Sequence, residues 1–176
     1  MKIPKSSRKK GLIVVDLQSS FLNKRNAYVL KNVLKLLKNV RYDAYVEATF
    51  HAEKGSIWDI QQQWICPEGP NTKTVEMISA ALKPYHPLQV HKDTKSVFKG
   101  DKDVVRFLKK RGVKDVHIVG VDTDDCILAT AYEAFDLGFV TYVIEEGVQS
   151  SSSDTLHKAA LTVLRREKMT NHSSFL

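Results

Sequence analysis

Cysteine is scarce in this chain: only Cys66 and Cys126 occur in 176 residues. They form no CxxC pair and no disulfide framework, which fits a reducing compartment. Long hydrophobic runs are missing too, and none approaches the roughly 18 residues that a membrane span needs. Basic residues precede an apolar segment at the N-terminus, as in a secretory leader. That segment is only Leu12–Val15 before Asp16 interrupts it, too short for the core of a leader. The reading is therefore a cytoplasmic protein with no membrane association. Acidic residues are absent from the first ten positions, which hold Lys2, Lys5, Arg8, Lys9 and Lys10. The formal net charge is +7, and without those five it is +2. The body is nearly neutral and has no basic stripe with interleaved aromatics, so no nucleic-acid partner is expected. No internal repeat is visible.

What is present is an ordinary globular composition, 43% hydrophobic and 27% charged, with a length that suits one domain. Residues 1–10 read as a basic flexible tail and 11–176 as the domain. Apolar strand-like runs alternate with stretches of helical period. Gly11–Asp16 is a first buried strand closed by a carboxylate, and Gln18–Tyr28 a loop. Leu30, Val33, Leu34 and Leu37 mark the inner face of a helix. Strands are expected at Ala44–Thr49, Leu88–Val90, Val116–Val121 and Phe139–Ile144, and helices at Thr74–Leu82, from Val104 and from Ile127. Ser153 is the expected N-cap of a last helix carrying Leu156, Ala160, Val163 and Leu164. The segment from Gly55 to Pro70, with Trp58, Trp64 and Cys66, is an irregular excursion whose aromatics are read as local packing. Alternation of this kind implies an α/β fold: a three-layer α/β/α sandwich, Rossmann-like, with a mostly parallel sheet of six strands.

The stretch Asp115–Gly138 carries the strongest chemical signal. An apolar strand runs into the polar turn Asp122-Thr123-Asp124-Asp125, then Cys126, then a helix with Gly138 at its stop. Open α/β sheets place their chemistry above the carboxyl ends of parallel strands. The first helical amides favour a thiolate at Cys126, whereas Asp124 and Asp125 oppose one, so a lysine or arginine from elsewhere is required. Asp16 and Lys92 stand at the ends of two further strands. A carboxylate can take a thiol proton, an ammonium can hold that carboxylate ionised, and the thiolate can attack a carbonyl.

In this order and at these strand ends, the residues resemble the isochorismatase-like cysteine hydrolase superfamily, which includes nicotinamidases and carbamoylsarcosine amidohydrolases. GLIVVDLQSSF (Gly11–Phe21) is similar to the family's opening strand with its aspartate. Lys92 precedes Phe98 by the family's six residues, a spacing that favours it over Lys95. Gly120-Val121-Asp122-Thr123-Asp124-Asp125-Cys126 matches the family's G-V-x-T-D-x-C turn, and the likeness spans roughly Gly11 to Arg165.

The resemblance implies a catalytic set of Asp16, Lys92 and Cys126. It also implies a cis peptide at Val121–Asp122, with the Asp122 and Cys126 amides forming an oxyanion hole. Whether the charged Asp122 disturbs that hole is open at this point. Phe21, His51 and Phe98 are candidates to line the substrate pocket, a hydrogen-bonded structural role being the alternative for His51. Nicotinamidases carry a metal site beginning D-x-H at the end of the second strand. Thr49-Phe50-His51 stands there instead, and no histidine lies between His51 and His86, so neither a metal nor any other cofactor is expected. The implied activity is hydrolysis of a carbon–nitrogen bond in a small amide or ureido substrate through a thioester, by a homo-oligomer. The alternatives are vinyl-ether hydrolysis of the isochorismatase type and a non-catalytic binding protein that keeps the fold.

Overall fold

The computed structural model describes residues 8–66 and 72–171. Of the tail, residues 1–7 lie outside the described residues, whereas Lys9 and Lys10 already belong to the first strand. Among the described residues five strands form: β1 (Lys9–Val15), β2 (Ala44–Phe50), β3 (Leu88–Lys92), β4 (Val113–Gly120) and β5 (Val140–Val148). They make one sheet in the order β3-β2-β1-β4-β5, and every neighbouring pair is parallel.

The apolar run of β1 accounts for its central place. Ile13 and Val15 enter one core layer while Leu12 and Val14 enter the other, as a two-residue period requires. A strand buried on both faces belongs inside a covered parallel sheet. Two helices, α1 (Tyr28–Asn39) and α3 (Glu76–Leu82), cover one face through Val29, Val33, Leu36, Ile78 and Leu82. The short α2 (Ile57–Gln62) buries none of its residues and stands apart from both layers. On the other face lie α4 (Val104–Lys110), α5 (Leu128–Asp136) and α6 (Asp154–Arg166), contributing Val104, Leu108, Ala131, Ala134, Leu161 and Leu164. Ser153 caps α6 as expected, accepting from the amides of Thr155 and Leu156. No helix among the described residues is long and apolar enough to cross a membrane.

The expected α/β/α sandwich is present, but with five strands rather than six. After α6 the chain does return to β5, where the Val143 amide donates to the Met169 carbonyl at 2.8 Å. Val143 and Thr170 form one isolated parallel bridge there. A single bridge does not make a strand, so among the described residues the sheet ends at β5.

The order of the strands creates the site. From β1 the chain moves to β2 and β3 on one side, while β4 and β5 lie on the other. The reversal between β1 and β4 leaves a crevice outside their carboxyl ends, the usual ligand position in such sheets.

Candidate active site

Asp16 follows the last residue of β1 at this crevice. Its amide donates to the Ala48 carbonyl at 3.0 Å, and its φ of +53° places it in the left-handed region. Aspartate tolerates that conformation better than most residues. On the far side of β2, Lys92 ends β3. Its buried side chain reaches back across the end of β2, with Nζ 4.8 Å from the centre of the Phe50 ring. The ammonium donates to Asp16 Oδ2 at 2.7 Å and to the Thr94 carbonyl at 3.0 Å, and lies 3.4 Å from Cys126 Sγ. Three strand ends thus deliver one carboxylate, one ammonium and one thiol to a single point.

Cys126 reaches that point through an unusual turn. The Val121–Asp122 peptide is cis. Residues Thr123–Ile127 then form a π-helical turn closed by the Ile127 amide on the Asp122 carbonyl at 3.1 Å, before α5 begins. Such wide turns recur at functional sites. The cation demanded by the neighbouring aspartates comes from two lysines: Lys92 inside, and Lys95, which pairs with Asp125 at the rim and lies over the Trp58 ring at 4.8 Å.

The electrostatics differ from expectation in one respect. Burial pushes the Cys126 thiol well above its ordinary pKa, the Asp16 charge pushes it further, and Lys92 only partly opposes them. Burial also raises the Asp16 carboxyl against the pull of Lys92. For Lys92 itself burial works against the ammonium, yet Asp16 and Cys126 outweigh it and the pKa is raised. A thiol that burial keeps neutral thus rests beside the Lys92–Asp16 salt bridge. The helix amides do not by themselves produce a thiolate, because burial and nearby carboxylates prevail. A thiolate has to be formed as it reacts, and Asp16 offers an acceptor for the proton. Its Oδ1 is buried and has no hydrogen-bond partner among the described residues.

Asp16 and Cys126 open onto a cavity of about 360 Å³, whose wall includes Phe21, Phe50, Trp58 and Trp64. Phe21 is where the sequence places it. His51 and Phe98 are not part of this wall. His51 borders a second, separate cavity with Thr49 and His91, its Nε2 4.0 Å from Glu53 Oε1. Phe98 stacks on Phe139 at 6.1 Å and packs against the core, because the short turn Val97–Lys99 directs it under the sheet. The two tryptophans, read from sequence as local packing, are cavity wall. Asp122 and Ser151 join it from the β4 and β5 loops. The Asp122 carboxylate accepts from the Ser151 amide at 2.7 Å and from its hydroxyl at 2.6 Å. A serine run directly after β5 was the available signal for this pairing.

Residues 10–173 match the isochorismatase domain family. The chain belongs to the isochorismatase family. Over 69 residues it is 38% identical to a nicotinamidase of Schizosaccharomyces pombe, a match covering 39% of this chain and 30% of the length of that relative. Among solved structures, it is similar to the pyrazinamidase/nicotinamidase of Streptococcus mutans, with a TM-score of 0.79 at 21% identity over 93% of this chain and 99% of the other. The pyrazinamidase of Pyrococcus horikoshii, solved in complex with zinc, gives a TM-score of 0.74 at 21% identity over 92% and 97%. At that identity the likeness is one of fold.

Donors for a zinc ion of that kind are not assembled in this family member. Among the described residues no three histidine, cysteine or acidic side chains converge on a common point. Where nicotinamidases begin their metal site with an aspartate, the Thr49 hydroxyl instead lies 2.8 Å from His91 Nδ1. A hydroxyl engaged with an imidazole is a poor zinc ligand, and the residues present do not fit the group.

Proposed function

We propose that this isochorismatase-family protein is a cysteine hydrolase that cleaves the carbon–nitrogen bond of a small amide or ureido compound. The observation that carries the reading is the buried Lys92 ammonium, 2.7 Å from Asp16 and 3.4 Å from Cys126, two residues that line an aromatic-walled cavity. Asp16 takes the Cys126 proton as sulfur attacks the carbonyl carbon, so that no free thiolate accumulates. The Asp122 and Cys126 amides receive the developing oxyanion. Collapse of the tetrahedral adduct breaks the carbon–nitrogen bond, and Asp16 returns its proton to the leaving amine. Asp16 then accepts a proton from the water that opens the thioester, which frees the acid and restores the thiol. Lys92 stays protonated throughout and keeps Asp16 from holding the proton too tightly. The kinship with nicotinamidases and pyrazinamidases supports a nitrogen leaving group.

The test is ammonia release from a panel of small amides that includes nicotinamide and pyrazinamide, with intact-mass analysis of acid-quenched reactions. Turnover with a Cys126-borne acyl adduct, lost in Cys126→Ala, is the expected result. Hydrolysis that survives Cys126→Ala would overturn the covalent route.

A further inference from the structure

Three carboxylates line the cavity, and they are not equivalent. Asp16 is neutralised by Lys92 and Asp125 by Lys95. Asp122 has no cation against it among the described residues: its partners are the neutral amide and hydroxyl of Ser151. Those two bonds fix the carboxylate at the cavity wall without cancelling its charge. Burial raises its pKa to about 6, with Asp124 and Asp125 adding to the effect, so it is mostly ionised at neutral pH.

The aromatic wall divides in the same way. Lys92 lies over Phe50 and Lys95 over Trp58. Phe21 and Trp64, which face each other at 5.8 Å with ring planes 30° apart, have no cation over them among the described residues. Ring faces carry negative potential and attract cations, the more so away from water. The cavity thus offers an unneutralised carboxylate and two aromatic rings with no cation over them among the described residues, beside a nucleophile candidate. An anionic ligand would meet repulsion from Asp122, and a neutral one would leave its charge uncompensated.

Building on the hydrolase reading, we infer that the site selects a cationic substrate, an amide or ureido compound bearing an ammonium or guanidinium group that Asp122 pairs with and that Phe21 and Trp64 border. Asp122 is then the specificity-determining residue of the pocket. Its backbone amide serves the reacting carbonyl, and its side chain reads the charge at the other end of a small molecule. A cavity of about 360 Å³ limits that molecule to a compact one.

Binding separates this inference from the chemistry. In a Cys126→Ser background, calorimetry compares trimethylammonioacetamide, its neutral isostere tert-butylacetamide, and the anionic malonamate. The cation is expected to bind about tenfold or more tighter than its neutral isostere, with no binding of the anion. Asp122→Asn should erase the preference. Ser151→Ala, which removes a hydrogen bond but keeps the charge, should retain it and guards against simple loss of local structure. Equal affinities for the cation and its isostere, no binding of the cation at millimolar concentration, or a preference unmoved by Asp122→Asn would overturn the inference. Selective binding of the cation with no turnover of cationic amides by the parent protein would instead leave the charge preference standing and remove the hydrolase reading.

Discussion

Gly120 and Val15 touch backbone to backbone at the carboxyl ends of β4 and β1. A Cβ on residue 120 would lie 2.0 Å from the Val15 carbonyl oxygen, and the residue has a φ of +128°. The Val121 amide then donates to that same oxygen at 3.1 Å. This approach sets the separation of Asp16, next after Val15, from the turn that carries Cys126. Only glycine meets both demands. Gly120→Ala should therefore cost about 3 kcal/mol or more of folding stability, measured by urea denaturation. A variant as stable as the parent would show that the two strand ends can part without consequence.

The Lys92–Asp16 pair is buried and gives up hydration on both sides. Removing one member of such a pair strands the other, at a cost of about 3–5 kcal/mol. Lys92→Met should show that loss. Adding Asp16→Asn, which removes the stranded charge and keeps a residue tolerant of positive φ, should return part of it. The expected coupling between the two substitutions is about 1–3 kcal/mol, and strictly additive losses would mean that the two charges do not stabilise each other.

Much of this arrangement was legible in the chain because it is local. An apolar run of limited length that ends in Asp16, another that ends in Lys92, and a strand-turn-helix around Cys126 each declare themselves within a few residues. Parallel topology then brings their ends together. The parts that were missed are those made between loops. Nothing near Trp58 or Trp64 in sequence says that they will line a cavity with Phe21, and nothing near Asp122 announces Ser151, reached only through β5. Phe98 fails for the opposite reason: its spacing from Lys92 fits a family pattern, yet the intervening turn directs it into the core. The charge balance at Cys126 weighs helix amides, aspartates and a lysine in the sequence, but the dominant effect there, burial, is one that no linear pattern displays.

His117, in the middle of β4, provides a pH response unrelated to the site. It is buried, with Nδ1 3.0 Å from the Tyr42 hydroxyl, and burial, aided by Lys10, lowers its pKa to about 4 from 6.5. Between those values the unfolded chain binds a proton that the folded protein refuses, so stability falls as pH falls through the window. The loss attributable to this group is at most about 3 kcal/mol. Urea denaturation at pH values spanning the window should show it, and His117→Gln should flatten the dependence. Parallel curves for parent and variant would place the acid sensitivity elsewhere.

The charge balance at Cys126 can be read from its alkylation. In a Cys66→Ser background, iodoacetamide labelling of Cys126 should titrate above the ordinary thiol value, because burial and Asp16 together outweigh Lys92. The two neighbours act with opposite signs. Asp16→Asn removes a negative charge that disfavours the thiolate, and should move the labelling profile to lower pH. Lys92→Ala removes the opposing cation, and should move it to higher pH. Hydrolysis would respond differently, since both variants lose activity when Asp16 is the proton acceptor and Lys92 its counter-ion. Easier labelling combined with lost turnover in Asp16→Asn is the signature of a base that acts during attack rather than one that merely sets a resting thiolate. If Asp16→Asn instead moved labelling to higher pH, Asp16 would be supporting a pre-formed thiolate, and the site would work as a resting ion pair.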